Sequence, residues 1–179
     1  MTDKKLNSNP TQQQRIGKTM LMIGWGIVLI GLVAIFGQWE KNQYNPNRNI
    51  TGSATDSERA VSLERNRYGH YVTAGKVNSK PVVFMLDTGA TNVAIPQGIA
   101  TKLGLKRGPA HQVMTANGVT RAYRTQITQL QVGSIVLFDV RASITPGMTG
   151  SEILLGMSAL KQLDFSQSGN TLTLVQHQN

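Results

Sequence analysis

PVVFMLDTGAT, residues 81–91, sets a run of apolar side chains directly against an acid. Val82, Val83, Phe84, Met85 and Leu86 follow a turn signal, and so short an apolar run reads as a strand buried on both faces. It ends at Asp87, with Thr88, Gly89 and Ala90 behind it. A lone buried carboxylate is costly unless hydrogen bonds or a partner compensate it. Gly89 permits a tight turn that brings bare backbone N–H groups near the carboxylate. The Thr88 hydroxyl is a candidate donor or buried lock. A carboxylate held rigidly at a strand end can activate a water. The same tripeptide also fits an ordinary strand-to-turn junction, because Asp and Gly dominate turns.

Outward from this segment the chain reads as an all-β domain. Short alternating or apolar runs recur from Tyr68 onward with turn signals between them, the pattern of a sandwich or barrel. Residues 70–77 form a strand and 78–81 a turn. One or two helical turns over 99–103 close at Gly104. Residues 113–116 and 119–122 flank Asn117-Gly118, a strong hairpin signal. A second hairpin turns at Gly133-Ser134. Ile153-Leu154-Leu155 is another apolar strand, 156–163 a short helix, and 171–175 a closing strand. Only one D-T-G occurs.

In order, the chain offers an apolar strand, D-T-G-A, an N-G hairpin, then Ile153-Leu154-Leu155-Gly156 and a short helix. This arrangement resembles the retropepsin-like aspartic proteases, most closely their bacterial branch. The carrying motifs are P-V-x-F-x-x-D-T-G-A-T at 81–91, T-A-N-G at 115–118 and L-L-G-M-S-x-L at 154–160. The resemblance spans about residues 68–175 and implies a β-barrel domain with one or two short helices. It implies Asp87 as the catalytic residue. Thr88, Gly89, Ala90, Leu155 and Gly156 would support the catalytic loop. Thr115, Ala116, Asn117 and Gly118 would form a flap over the substrate. Viral members usually carry an acid two residues after the tripeptide and an Arg after the hydrophobic-Gly motif, as an ion pair. Here those positions are Thr91 and Met157. Apolar packing is the expected substitute.

Aspartic proteolysis needs two carboxylates sharing one proton, one as base on a water and one polarising the scissile carbonyl. Within residues 68–179 the other acids are Asp139, Glu152 and Asp164, none in a matching context. The second Asp87 is therefore expected from another copy, at a two-fold axis. The expected enzyme is a homodimeric aspartic endopeptidase acting on peptide or protein substrates, with no cofactor and no metal. The alternative is a catalytically silent dimeric peptide-binding module of the same fold. His111, His177, Asp139 and Arg141 read as surface positions.

The N-terminus carries a different signal. Residues 19–39 are 21 residues without a charge. As a helix they span roughly 30 Å, about the hydrocarbon thickness of a bilayer. Trp39 suits the interface at the far end. A cleavable signal peptide would show a shorter apolar region and a better cleavage site than Ile35-Phe36-Gly37. Lys4, Lys5, Arg15 and Lys18 precede the span, against Lys41 and Arg48 after it, so the tail is expected inside the cytoplasmic membrane and the domain outside, in a periplasm. The expected organisation is a cytoplasmic tail at 1–18, a transmembrane helix at 19–39, a flexible linker at 40–66 and the protease domain at 67–179.

Composition excludes much else. The 179 residues include no cysteine, which removes disulfides, thiolate nucleophiles and Cys-based metal sites. The net charge is +9, but the basic residues are dispersed and aromatics make up 6%, so no nucleic-acid surface is expected.

Overall fold

The computed structural model describes residues 12–50, 52–115 and 118–178. The chain divides into two compact units, Met1–Lys41 and Asn42–Asn179. The described part of the first is the body of helix α1, Gln12–Tyr44, whose last turn belongs to the second. Every large apolar side chain from Met20 to Phe36 is exposed. The segment Met20–Tyr44 is long and apolar enough to cross a membrane, a property shared by a span and a signal sequence.

The second unit is built from eleven strands and two short helices. The strands are β1 (Gly52–Ala54), β2 (Glu58–Glu64), β3 (Val72–Val77), β4 (Lys80–Leu86) and β5 (Val93–Pro96), followed after helix α2 (Gln97–Leu103) by β6 (Ala110–Thr115), β7 (Gly118–Val132), β8 (Ile135–Thr145) and β9 (Glu152–Leu155), and after helix α3 (Met157–Leu160) by β10 (Asp164–Ser168) and β11 (Thr171–His177). They form a seven-stranded sheet, β3-β4-β9-β5-β8-β7-β6, with an added β3–β7 pairing, and a four-stranded sheet, β1-β2-β11-β10. The all-β, retropepsin-like expectation for the fold is met. Phe84, Ile95, Ile127, Leu130, Ile144, Ile153, Leu155 and Leu160 are fully buried between these elements. Gly104 ends α2 in the left-handed region at φ 76°, where a Cβ is disfavoured. The β7–β8 hairpin turns at Gly133-Ser134, and β6 meets β7 with Thr115 opposite Gly118. Ala116 and Asn117, between them, lie outside the described residues.

The apolar run of 82–86 is less buried than its sequence suggests. Only Phe84 is fully covered, and Val82, Val83, Met85 and Leu86 are half-buried.

The expected flexible linker at 40–66 is corrected by the structure. Helix α1 runs on to Tyr44, and Glu58–Glu64 is a strand paired along its whole length with β11. Between them, Asn45 and Asn47 are buried. The Asn47 side chain donates to Glu64 O at 2.9 Å and Val72 O at 2.8 Å, and accepts from Glu64 N at 2.7 Å. Its backbone N donates to Asn45 Oδ1, and its carbonyl accepts from Ala74 N. One amide therefore ties β2 of one sheet to β3 of the other. Asn66 does similar work, donating to Tyr44 O and accepting from the backbone of Tyr68 and His70. Polar composition suggested solvation, but a side-chain amide carries the same donors and acceptor as a backbone and can stand in for a strand.

Asn47→Ala leaves two buried carbonyls and one N–H without these partners. The expected cost is about 3 kcal/mol. Thermal unfolding of the full chain in detergent, followed by circular dichroism, checks this. A midpoint unchanged from wild type would return this segment to the status of a linker.

Candidate active site

The crossing of β4, β9 and β5 positions the D-T-G segment. Strand β9 pairs parallel to β4, with Leu86 opposite Leu155, and antiparallel to β5, with Ala94 opposite Leu154. The chain leaves β4 on one side of β9 and re-enters as β5 on the other. Residues 87–92 must therefore arch over the end of β9, where Leu155 gives way to Gly156. Asp87 N donates to Leu155 O at 3.2 Å, which fixes the root of the arch. Inside it, Ala90 N donates to Asp87 O, and Gly89 N donates to Asp87 Oδ1 at 2.9 Å. The glycine thus delivers a backbone N–H to the carboxylate.

Gly156 sits under the arch with no room to spare. A Cβ there would collide with the carbonyl oxygen of Asn92 and lie 2.6 Å from that of Ala90. Helix α3 starts immediately beyond. Its first N–H groups are free to donate outward, as at any helix N-terminus. Met157 N donates to Ala90 O at 2.8 Å and Ser158 N to Thr91 O at 3.0 Å. The buried Ser158 hydroxyl accepts from Val93 N at 2.9 Å and donates to Arg141 O at 2.7 Å, locking β5 to β8. Backbone hydrogen bonds from α3 therefore brace the loop at Thr91 and Met157, where apolar packing alone was expected.

Two expectations about the tripeptide change in a single chain. Asp87 is half-buried, and Thr88 is exposed with no hydrogen bond from its hydroxyl among the described residues. Neither the deep burial nor the Thr88 lock is formed within one copy. At the hairpin, Thr115 Oγ1 donates to Gly118 O at 2.8 Å. Met114 and Val119, opposite each other beside the tip, are 86% and 62% exposed. Asn92 and Ser158 were missed by the sequence reading. Ser158 lies inside the quoted L-L-G-M-S-x-L segment, so its position was visible but its buried hydroxyl was not.

Asp139, Glu152 and Asp164 make their contacts elsewhere. Asp139 is exposed and accepts from Gln126 Nε2, Glu152 accepts from Ser151 Oγ, and Asp164 pairs with His177 on an exposed surface. An exposed pair of that kind contributes about 0–1 kcal/mol. His111 is half-buried, with Nε2 3.2 Å from Ser143 Oγ. Among the described residues no three His, Asp or Glu side chains converge as metal ligands. One chain thus offers one carboxylate, half-open to solvent, on a loop fixed by backbone hydrogen bonds.

A β domain whose D-T-G loop straddles a hydrophobic-Gly strand has the fold of the retropepsin-like aspartic proteases. The chain belongs to the family described as "gag-polyprotein putative aspartyl protease", which it matches over residues 73–162. Its fold is similar to the crystal structure of a retropepsin-like aspartic protease from Rickettsia conorii. The TM-score is 0.57 at 25% identity, covering 70% of this chain and 98% of that one. An uncharacterized protein in the cobV 5′ region of Sinorhizobium sp is 30% identical over 170 residues, covering 87% of this chain and 72% of that protein. An uncharacterized protein of Rickettsia prowazekii (strain Madrid E) is 29% identical over 106 residues, and the match covers 45% of its length.

Proposed function

We propose that the protein is a membrane-anchored aspartic endopeptidase, active as a homodimer in which each chain contributes Asp87. The carrying observation is the arch over Gly156, which presents a single carboxylate with a backbone N–H on one oxygen. Facing its counterpart, one Asp87 stays ionised and takes a proton from water, while the protonated partner donates toward the scissile carbonyl. Thr88, Gly89, Ala90, Leu155 and Gly156 hold the loop. The hairpin carrying Thr115, Ala116, Asn117 and Gly118 closes over the peptide. Full-length protein in detergent, incubated with a diverse peptide mixture, is expected to generate internal cuts mapped by mass spectrometry. A mixture left intact across the acidic and neutral pH range would favour the silent peptide-binding reading.

The anchor follows from the uncharged stretch and its flanks. Residues 19–39 span the inner membrane, the basic tail stays inside, and the protease domain lies in the periplasm. A reporter that works only outside the cytoplasm, fused after Asn179, is expected to be active, with the chain resisting alkaline extraction from membranes. A working cytoplasm-only reporter at that position would reverse the orientation, and release of the chain by alkali would remove the anchor.

A further inference from the structure

Around the last turn of α1 the second unit gathers three arginines and two tyrosines. Residues 42–44 of that turn belong to this unit. Asn66 Nδ2 donates to Tyr44 O at 2.9 Å, and the Tyr68 ring meets the Tyr44 ring edge-on at 6.3 Å. Asn66 Oδ1 accepts from the backbone N of Tyr68 and His70, so the turn over 66–70 is fastened to Tyr44. The Arg67 guanidinium lies over the Tyr68 ring at 4.9 Å, Arg65 lies over Tyr71 at 5.8 Å, and Arg48 Nη1 reaches back toward Asn42 Oδ1 at 3.5 Å. Arg48, Arg65, Arg67 and Tyr68 are all exposed. Among the described residues none of the three arginines is in an ion pair. Two acids adjoin them, the exposed Glu64 next to Arg65 and the half-buried Glu152 beside Tyr44, so the surface keeps an excess of positive charge.

We propose that this surface docks on anionic phospholipid headgroups, laying the domain against the membrane that its anchor crosses. The proposal rests on the reading of residues 19–39 as a span. Three exposed arginines on a freely diffusing protein would be a solvated face, and what selects the lipid here is the tether. Tyr44 follows Trp39 within one helix, a rise of about 7.5 Å whatever the tilt. The headgroup layer extends roughly 5–8 Å beyond the hydrocarbon on each side. The turn fastened to Tyr44 is therefore held at the level of the lipid phosphates. Arg pairs with phosphate through two parallel N–H donors, and tyrosine rings suit the same depth.

Because the chain has no cysteine, a single introduced one carries a single label. His70→Cys, at an exposed position of the turn, takes a polarity-sensitive fluorophore in the full-length protein, which is then reconstituted into nanodiscs. In discs of phosphatidylcholine and phosphatidylglycerol in equal parts, the emission is expected to shift to the blue and to be quenched from the headgroups. In phosphatidylcholine alone neither is expected. Each arginine beside an anionic surface is worth roughly fivefold in the docked-to-free ratio, and three together roughly a hundredfold. Arg67→Gln is therefore expected to weaken the shift, and Arg48→Gln, Arg65→Gln and Arg67→Gln together to abolish it with the unfolding midpoint unchanged. High salt should act on the wild type as the triple variant does. Lys161→Gln, exposed and outside the cluster, is expected to leave the shift as it was. Equal shifts in the two lipids, or a shift that survives both the triple variant and salt, would overturn this surface while leaving the anchor. Inorganic phosphate that reproduces the shift in phosphatidylcholine discs would overturn the lipid as its occupant. A chain that enters neither disc would overturn the anchor, and the surface with it.

Discussion

Asp87→Asn is expected to lower peptide cleavage at least about 10³-fold while leaving the fold intact. The amide oxygen can still accept the Gly89 N–H that Oδ1 accepts now, so the arch keeps its hydrogen bond. On the proposed mechanism, what is lost is the charge that takes a proton from water. The proposed dimer makes a second consequence measurable. If subunits exchange freely, a ninefold excess of the Asn chain leaves roughly a tenth of wild-type chains paired with one another. Activity per wild-type chain should fall accordingly, whereas enzymes with independent sites would lose nothing on mixing. An Asn variant that cleaves within tenfold of wild type would remove Asp87 from the chemistry.

Gly156→Ala should be nearly as damaging, for a different reason. The residue's φ of −88° is open to any amino acid, so the backbone conformation is not the obstacle. The obstacle is the pair of carbonyls above it, Asn92 O and Ala90 O, which a methyl group cannot displace without lifting the loop. Overpacking against backbone is expected to cost about 3 kcal/mol and to move Asp87 off its position. Gly98→Ala supplies the contrast, because at this exposed position of α2 a Cβ meets nothing within 4 Å. Alanine there is expected to gain about 0.5–1 kcal/mol of stability with activity unchanged. Unfolding midpoints and cleavage rates for the two variants check both halves. Equal behaviour of the two would show that the arch does not rest on Gly156.

The difference between these glycines shows where sequence information stops. Both are glycines at the N-terminal ends of short helices, and only the crossing of β4, β5 and β9 leaves one of them no room for a side chain. Asp87, the hairpins at Gly118 and Gly133-Ser134, and the C-cap at Gly104 were legible, because each is fixed by a few neighbouring residues. Strand β5 was not: four residues ending in proline show no usable period. Strand β10 was hidden as well, since its residues are exposed and give no apolar alternation. The span 40–66 was misread, because Asn47 contributes through buried hydrogen bonds and not through hydrophobicity.

By itself, then, the sequence determined the all-β class, the single D-T-G with its one carboxylate, and the apolar N-terminal helix. Tertiary structure alone decided that β9 lies between β4 and β5, more than sixty residues from β4 along the chain. It alone decided that α3 braces the loop through backbone N–H groups, and that Thr88 is left exposed. The physical reason is range. Turns, caps and strand periods depend on contacts a few residues apart, whereas strand order is fixed by which distant faces bury each other best, and that is written in no single stretch of chain.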